Sequence, residues 1–453
     1  MKITIAGCGK VGTVIAEQLI KEDHDIIIID KDGSRLAYVS NSLDLLPVQG
    51  DAASVSTLKE AGADRSDLMI AVTDSDESNI LICVLAKKLG IKNTIARIRN
   101  PEFSDTVQVI KEEMGLSFVV NPEKAAADEI FRSLLFKGAG QVETFAQGQH
   151  EILTCAVKDN KYLCGLQLKN LSSFINRRIL ICAIKRGDSV FIPNGSTVIE
   201  KGDILSIVAS RSDAVYFFRK LGYETGKIRD LTVIGGGRLG FYLSMKAVEH
   251  GIPVMLIEKD PERCRKLDYD LPPAEIFCGD GTDISMLEEE GVFRSSAVAT
   301  VTGSDEANVL ISMYISKKSK DTKLITVVKK SDFEDMLYGL ELGNVFNPKY
   351  IAADKIITYV RAMEETEGNE VQSLCHVIDN KVEVLEFFID SNTSVTGIPL
   401  NELKFKPGVL LAGITRKGRS FIPGGNDTIE AADTILLVTT TRGIGRLDDL
   451  ISS

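Results

Sequence analysis

The sequence predicts an α/β protein with two parallel-sheet domains, each followed by a small α+β domain. Three observations carry this expectation. Apolar strands run directly into glycine-rich turns at Gly7-Cys8-Gly9-Lys10-Val11-Gly12 and at Gly235-Gly236-Gly237-Arg238-Leu239-Gly240. The two motifs stand 228 residues apart, and matching segments follow at nearly the same offset for most of the chain. Within each copy, short apolar strands first alternate with helical stretches and then give way to short β-rich segments broken by turns. That change is expected where a parallel sheet covered on both faces is followed by a different module.

In the first copy, strands are expected at 2–6, 25–30, 45–49, 68–72 and 94–98, with a sixth near 117–120. The first glycine-loop helix is marked by Val14, Ile15 and Leu19, and a later helix from Asn79 to Leu89 by Ile80, Val84 and Leu85 at helical spacing. Glu123 to Phe136 reads as a helix whose apolar length exceeds one sheet face and suggests a crossing to a partner subunit. From Gln141 onward, turn signals fall at Lys158-Asp159-Asn160, Arg186-Gly187-Asp188, Pro193-Asn194-Gly195 and Lys201-Gly202-Asp203. A helix from Ser212 to Leu221, capped by Ser212 or Asp213, closes this module, and the polar stretch Gly222 to Asp230 links the copies.

Pairs that set the register of the repeat are Asp30 with Glu258, Gly50-Asp51 with Gly279-Asp280, and Asn121-Pro122 with Asn347-Pro348. Phe191-Ile192-Pro193 likewise answers Phe421-Ile422-Pro423. The charged, glycine-containing stretch Arg361 to Asn369 precedes the last β-rich module. The expected domains are 1–137, 138–222, 229–366 and 367–453, in the order A-B-A-B.

Bulk properties narrow the function classes. The apolar fraction of 44% and charged fraction of 26% suit a soluble globular chain. A net charge of −11 speaks against non-specific binding to nucleic acid or anionic membranes. The longest apolar runs, such as Ile179 to Ile184, are far shorter than a membrane span requires. The chain enters its first strand at Ile3, leaving no room for a signal peptide. Eight cysteines without a Cys-x-x-Cys suit a reducing cytoplasm, with Cys83, Cys155 and Cys182 expected in the core. His24, His150, His250 and His376 are not spaced like metal ligands, and no metal site is expected.

The glycine loops point to nucleotide binding. In a Rossmann-like turn, the first glycine permits the tight strand-to-helix connection, the second admits a pyrophosphate against the backbone, and the third lets helix and strand approach. Asp30 and Glu258 each lie 23 residues beyond the first glycine, where a carboxylate accepts bonds from ribose hydroxyls and repels a 2′-phosphate. This favours NAD(H), ADP or ATP; the alternative is that these residues end strands and cap turns. Asp51 and Asp280 follow the third strand, where the adenine edge would lie, or act as helix N-caps. Thr73-Asp74 and Thr302-Gly303 end the fourth strand and face the second half of a dinucleotide, or form a simple turn. Arg97 on the fifth strand offers a phosphate fork, or is a solvated edge residue. Lys10 in one loop and Arg238 in the other suggest NAD(H) at the first site and tolerance of ATP or ADP at the second.

A catalytic group is hard to find. Tyr314 and Lys318 have Tyr-x-x-x-Lys spacing but fall on the helix after the fourth strand, where the first copy has Leu85 and Leu89. A Gly-x-x-x-x-Gly-Lys-Ser/Thr loop is missing as well, since Gly226-Lys227 is followed by Ile228 and preceded by Leu221 where the first glycine should stand. An NAD-dependent oxidoreductase and a redox or nucleotide sensor with another partner remain the alternative readings.

Over its whole length the chain resembles the TrkA-type family of tandem RCK proteins, the peripheral cytosolic subunits of Trk potassium uptake systems. The first nucleotide-binding TrkA-N module carries the loop Gly7 to Gly12, Asp30, Asp51, Thr73-Asp74, Asn79 and Arg97. The TrkA-C modules carry Gly165, Leu168, Leu171, Arg186, Ile192-Pro193 and Gly202-Asp203, then Gly397, Leu400, Leu403, Arg416, Ile422-Pro423 and Asp433. The resemblance implies a non-enzymatic role: a homotetrameric ring docked from the cytoplasm on a membrane potassium-conducting subunit and reshaped by nucleotide. It also implies a cation beside the nucleotide at Glu123, where the second copy has Lys349. Val327 replaces Arg97 in that copy, with Lys329 nearby, and Ala432 replaces the turn glycine Gly202.

Overall fold

The computed structural model describes residues 1–101, 103, 107, 111, 113–135, 142–145, 150–157, 160, 162–221, 228–330, 340–364, 371–378, 381–390, 393–441, 444 and 447. The expected turn at Lys158-Asp159, Phe136 and Gln141, most of the Gly222 to Asp230 link and the stretch from Glu365 to Asn369 lie outside the described residues.

The first sheet comprises β1 (Lys2–Ala6), β2 (Asp25–Asp30), β3 (Leu46–Gln49), β4 (Leu68–Ala71), β5 (Asn93–Arg97) and β6 (Phe118–Val120). Its helices are α1 (Lys10–Ile20), α2 (Gly33–Ser40), α3 (Val55–Glu60), α4 (Asp76–Lys88) and α5 (Pro122–Leu134). There follow β7 (Val142–Phe145), β8 (His150–Ala156), α6 (Leu171–Ile175), β9 (Ile179–Arg186), β10 (Ser189–Phe191), β11 (Ile204–Ala209) and α7 (Arg211–Lys220). The repeat opens with β12 (Leu231–Ile234), α8 (Arg238–Glu249), β13 (Val254–Glu258), α9 (Pro261–Asp270), β14 (Glu275–Cys278) and α10 (Ile284–Glu289). It continues through β15 (Ala297–Thr300), α11 (Asp305–Lys318), β16 (Lys323–Val327), β17 (Asn344–Phe346) and α12 (Pro348–Glu364). The last strands are β18 (Val371–Val377), β19 (Val382–Phe388), β20 (Val409–Arg416), β21 (Arg419–Phe421) and β22 (Thr434–Thr439).

These elements gather into two compact units, one formed by residues 1–130 and 230–359, the other by 131–229 and 360–453. The first unit holds two parallel sheets in the orders β3-β2-β1-β4-β5-β6 and β14-β13-β12-β15-β16-β17. This is the doubly wound arrangement in which the strand order reverses beside β1, opening a crevice at the carboxyl ends of the strands. Burial explains the central strands, since Ile26 to Ile29 and Leu68 to Ala71 are covered on both faces. Pro47 stands on the edge strand β3, where a missing N–H breaks no ladder.

The second unit holds two five-stranded antiparallel sheets of equivalent order, β7-β8-β11-β9-β10 and β18-β19-β22-β20-β21. They share an apolar core in which Ile152, Cys182 and Val208 meet Val384, Ala412 and Val438. Each copy staples its last turn with an arginine. Arg186 donates to both carboxylate oxygens of buried Asp203 at 2.9 and 2.8 Å, and Arg416 does the same to Asp433 at 2.9 and 2.8 Å. Ala432 keeps the left-handed turn conformation of Gly202, with φ +66° against +90°.

Helix starts depart from the sequence expectation. Ser75 accepts from the Ser78 N–H at 3.0 Å and so starts α4 at Asp76, ahead of Asn79. Ser210, not Ser212 or Asp213, caps α7, accepting from the Asp213 N–H at 3.2 Å while donating its hydroxyl to the Asp213 carboxylate at 3.0 Å. The apolar surplus of α5 is used within this chain. Ala126, Ala127 and Ile130 are buried in it, Asp128 pairs with Lys246 of α8, and the helix passes from the first unit into the second after Ile130.

Replacing Arg416 with Met takes the cationic partner away from buried Asp433, so urea unfolding is expected to show a loss of about 3 kcal/mol. Burial also pushes the Lys323 ammonium on β16 down to about 7. An unfolded lysine keeps its proton up to about pH 10.4, so between those values the unfolded chain binds more protons and stability rises with pH. Unfolding midpoints from pH 7 to 10 are therefore expected to climb less in Lys323→Met than in the native chain.

Candidate functional site

Both glycine loops have the same geometry. Gly7 has φ +109° and Gly235 φ +115°, a region that side chains avoid. A Cβ at Gly12 would lie 2.0 Å from the Gly7 carbonyl oxygen, and one at Gly240 2.0 Å from that of Gly235. The third glycine thus lets the helix start press on the turn itself. Around Gly9 and Gly237, in contrast, a Cβ would meet nothing within 4 Å. The N–H groups at the starts of α1 and α8 face this open space at the positive end of a helix dipole. Lys10 and Arg238 are exposed beside it, while Val11 and Leu239 are largely buried yet line the same space.

The strand-end carboxylates brace these loops. Asp30 accepts from the Cys8 N–H at 2.6 Å and the Asp32 N–H at 2.9 Å. Glu258 accepts from Gly236 N–H at 2.7 Å, Lys259 N–H at 2.8 Å and Asp260 N–H at 2.9 Å. A carboxylate has about four acceptor sites, so each retains capacity for a ribose hydroxyl. Cys8 and Gly236 therefore serve through their backbone, and the Cys8 thiol is pushed up by burial.

Asp51 and Asp280 are not helix N-caps. Asp51 accepts from the Ala53 N–H at 3.0 Å and pairs with Lys31 at 3.0 Å; Ser54 occupies the capping position. Asp280 accepts from the Thr282 N–H at 2.9 Å and hydroxyl at 2.8 Å, and Asp283 caps α10. The two-residue spacing from carboxylate to N–H makes a local turn, and these bonds hold both carboxyls below the usual carboxylate range.

At the end of the fourth strand, fully buried Asn79 accepts from the Thr73 N–H at 2.8 Å and hydroxyl at 2.7 Å and donates to the Arg97 carbonyl at 2.8 Å. Asn308 repeats this with Thr302 at 2.9 and 2.6 Å and with the Val327 carbonyl at 2.8 Å. The threonine hydroxyl protons are therefore directed inward, and Thr73, Thr302 and the exposed Asp74 and Gly303 line the cavity. Arg97 is not a solvated edge residue, because β5 lies between β4 and β6 and its guanidinium donates to the Thr73 carbonyl. Burial, then the Arg99 charge, lowers its pKa to about 10, and its Nε has no hydrogen-bond partner among the described residues. In the second copy the Lys329 ammonium reaches the matching Thr302 carbonyl at 3.2 Å.

A cavity of about 1060 Å³ takes in both loops. It brings together Gly7, Gly9, Lys10, Asp30, Asp51, Thr73, Asp74 and Arg97 with Gly235, Gly237, Arg238, Glu258, Asp280, Thr302 and Gly303. Cys8, Gly12, Gly236 and Gly240 lie behind its wall and shape the loops. Contacts between the copies fix its shape: Asn121 donates to the Tyr242 hydroxyl at 2.9 Å, and Phe118 stacks on Tyr359 at 4.9 Å. Glu123 and Lys349 also line it, and the Glu123 Oε2 has no hydrogen-bond partner among the described residues. Sequence reasoning missed the lining pairs Lys31-Asp32 and Lys259, and Arg35, although the repetition of Lys-Asp-x-x-Arg at 31–35 and 259–263 would have found them.

Tyr314 and Lys318 do not line the cavity; Tyr314 packs on Phe293, and Lys318 pairs with Glu288 at 2.9 Å. Among the described residues, no three His, Cys, Asp or Glu side chains converge as metal ligands, and no helix is long and apolar enough to cross a membrane.

Comparison with known proteins agrees with the repeat. The TrkA-N domain model matches residues 3–122 and 231–348, and the TrkA-C domain model matches 153–222 and 384–452. A Trk system potassium uptake protein TrkA homolog of Archaeoglobus fulgidus is 32% identical over 99% of this chain and 100% of its own length. Trk system potassium uptake protein TrkA of Haemophilus influenzae is 28% identical over 96% of this chain and 95% of its own. The solved GsuK channel bound to NAD shares the fold, with TM-score 0.61 and 16% identity over 99% of this chain and 78% of its own. With both domain models matched twice and relatives aligned end to end, the chain belongs to the TrkA family of Trk system potassium uptake proteins, components of potassium transport and not enzymes.

Proposed function

We propose that the chain is a nucleotide-binding regulatory subunit of a Trk-type potassium transporter, attached to the cytoplasmic face of the membrane through its potassium-conducting partner. The observation that carries this reading is the shared cavity: a nucleotide on either glycine loop lies among residues of both copies. Its affinity then depends on how the copies are set, which is the condition for a ligand to shift a conformational equilibrium. The four segments 1–137, 138–222, 229–366 and 367–453 act as modules of a homotetrameric ring, which changes shape on binding NAD(H) or ATP/ADP and so alters potassium flux. Leu81 on α4 and Leu310 on α11, at matching positions and 47% and 67% exposed, support a self-associating face on each copy.

The ligand class rests on Asp30 and Glu258, which suit unphosphorylated ribose, and the GsuK channel bound to NAD supports a dinucleotide. The loops divide the ligands. First-copy residues lining the cavity carry five cationic side chains, Lys10, Lys31, Arg35, Arg97 and Arg99, against five carboxylates, Asp30, Asp32, Asp51, Asp74 and Glu123. The second copy sets Arg238, Lys259, Lys329 and Lys349 against Glu258 and Asp280 alone. This surplus supports ATP or ADP at the second loop and NAD(H) at the first.

Calorimetric titration separates the sites. Asp30→Ala is expected to weaken NADH at least about tenfold while sparing ATP, and Glu258→Ala to do the reverse, as the loss of a charged hydrogen-bond acceptor implies. Identical profiles for the two variants would sink the division of ligands. Light scattering of the Leu81→Glu, Leu310→Glu double variant is expected to show a smaller assembly than the native chain; an unchanged mass would remove these faces from the ring contact.

A further inference from the structure

Cys264 and Cys278 both lie against the strand end at Glu258, the residue that braces the second glycine loop. Strands β13 and β14 pair Glu258 with Cys278, so the cysteine ends its strand beside the loop-bracing carboxylate. On α9, the Cys264 thiol donates to the Glu258 carbonyl at 3.2 Å, and the N–H of Gly279, next to Cys278, donates to the same oxygen at 2.9 Å. The Cys264 sulfur thus lies against the strand-end backbone from which Cys278 projects. Cys264 is buried and Cys278 exposed, and both are free thiols. In the first copy the corresponding positions are Leu36 and Gln49.

We propose that Cys264 and Cys278 form a modification site, a dithiol that low-molecular-weight disulfides oxidise to an intramolecular disulfide, confined to the second copy. The exposed Cys278, as thiolate, attacks one sulfur of the external disulfide and expels one thiolate, leaving a mixed disulfide. Cys264 then gives its proton to water and attacks the Cys278 sulfur, forming the Cys264–Cys278 bond and expelling the second thiolate. The protein loses two electrons and two protons, and the external disulfide becomes two thiols. Burial, then the Cys278 sulfur and the Glu258 and Asp260 carboxylates, pushes the Cys264 thiol up to about 12. Thiolate is the attacking species in the second step, so the closure speeds up as pH rises. The bond clamps the start of α9 to the end of β14 directly beneath Glu258.

The test treats the full-length chain with glutathione disulfide, quenches with acid, alkylates after unfolding and maps the peptides. The expected product joins Cys264 to Cys278, is lighter by two hydrogens, and reverts with dithiothreitol. Cys264→Ser is expected to stop at the glutathione adduct on Cys278, and Cys278→Ser to give no product at either position. The proposal is overturned if the native chain stops at that adduct with Cys264 still alkylated, or if Cys278 is found joined to another cysteine.

Discussion

The site depends on a carbonyl oxygen that leaves no room for a methyl group. At Gly12 and Gly240 a side chain would lie 2.0 Å from the oxygen of the first loop glycine. Only with hydrogen there can α1 and α8 begin so close to the strand that feeds them. That closeness aims the N–H groups of the helix starts at the open side of the loop, where a Cβ at Gly9 or Gly237 would meet none of the described residues within 4 Å.

Much of the remaining site is made by backbone atoms that a few buried or braced side chains hold in place. Asp30 and Glu258 tie the loops to their second strands, and Asn79 and Asn308 tie the ends of β4 and β15 to β5 and β16. The peripheral charges are therefore free to differ between copies without loss of the frame. Arg97 gives way to Val327, and Glu123 to Lys349, yet both loops still open into one cavity. The frame is duplicated, while the charge around it is not.

The strands were legible because burial on both faces writes continuous apolar runs such as Ile26 to Ile29, and the glycine loops because their steric demands admit one residue type. Helix starts were harder. Ser75 and Ser210 cap their helices ahead of the starts expected at Asn79 and Ser212, since a capping serine and a surface serine look alike until the N–H it accepts from is known. The N-cap alternative for Asp51 failed for the related reason that a carboxylate two residues before an N–H makes a turn as readily as a cap. The shared cavity was not legible, because it depends on contacts such as Asn121 with Tyr242, where the first copy has Val14 in place of the tyrosine and the repeat itself gives no hint.

The central claim is that nucleotide in this cavity controls potassium movement. It is tested most directly by measuring potassium flux through the membrane partner in vesicles carrying the native chain, or the Asp30→Ala, Glu258→Ala double variant, before and after adding NADH or ATP. Nucleotide is expected to change the flux with the native chain and to leave it unchanged with the variant. A flux that responds equally in both, or in neither although the native chain binds nucleotide, would contradict it.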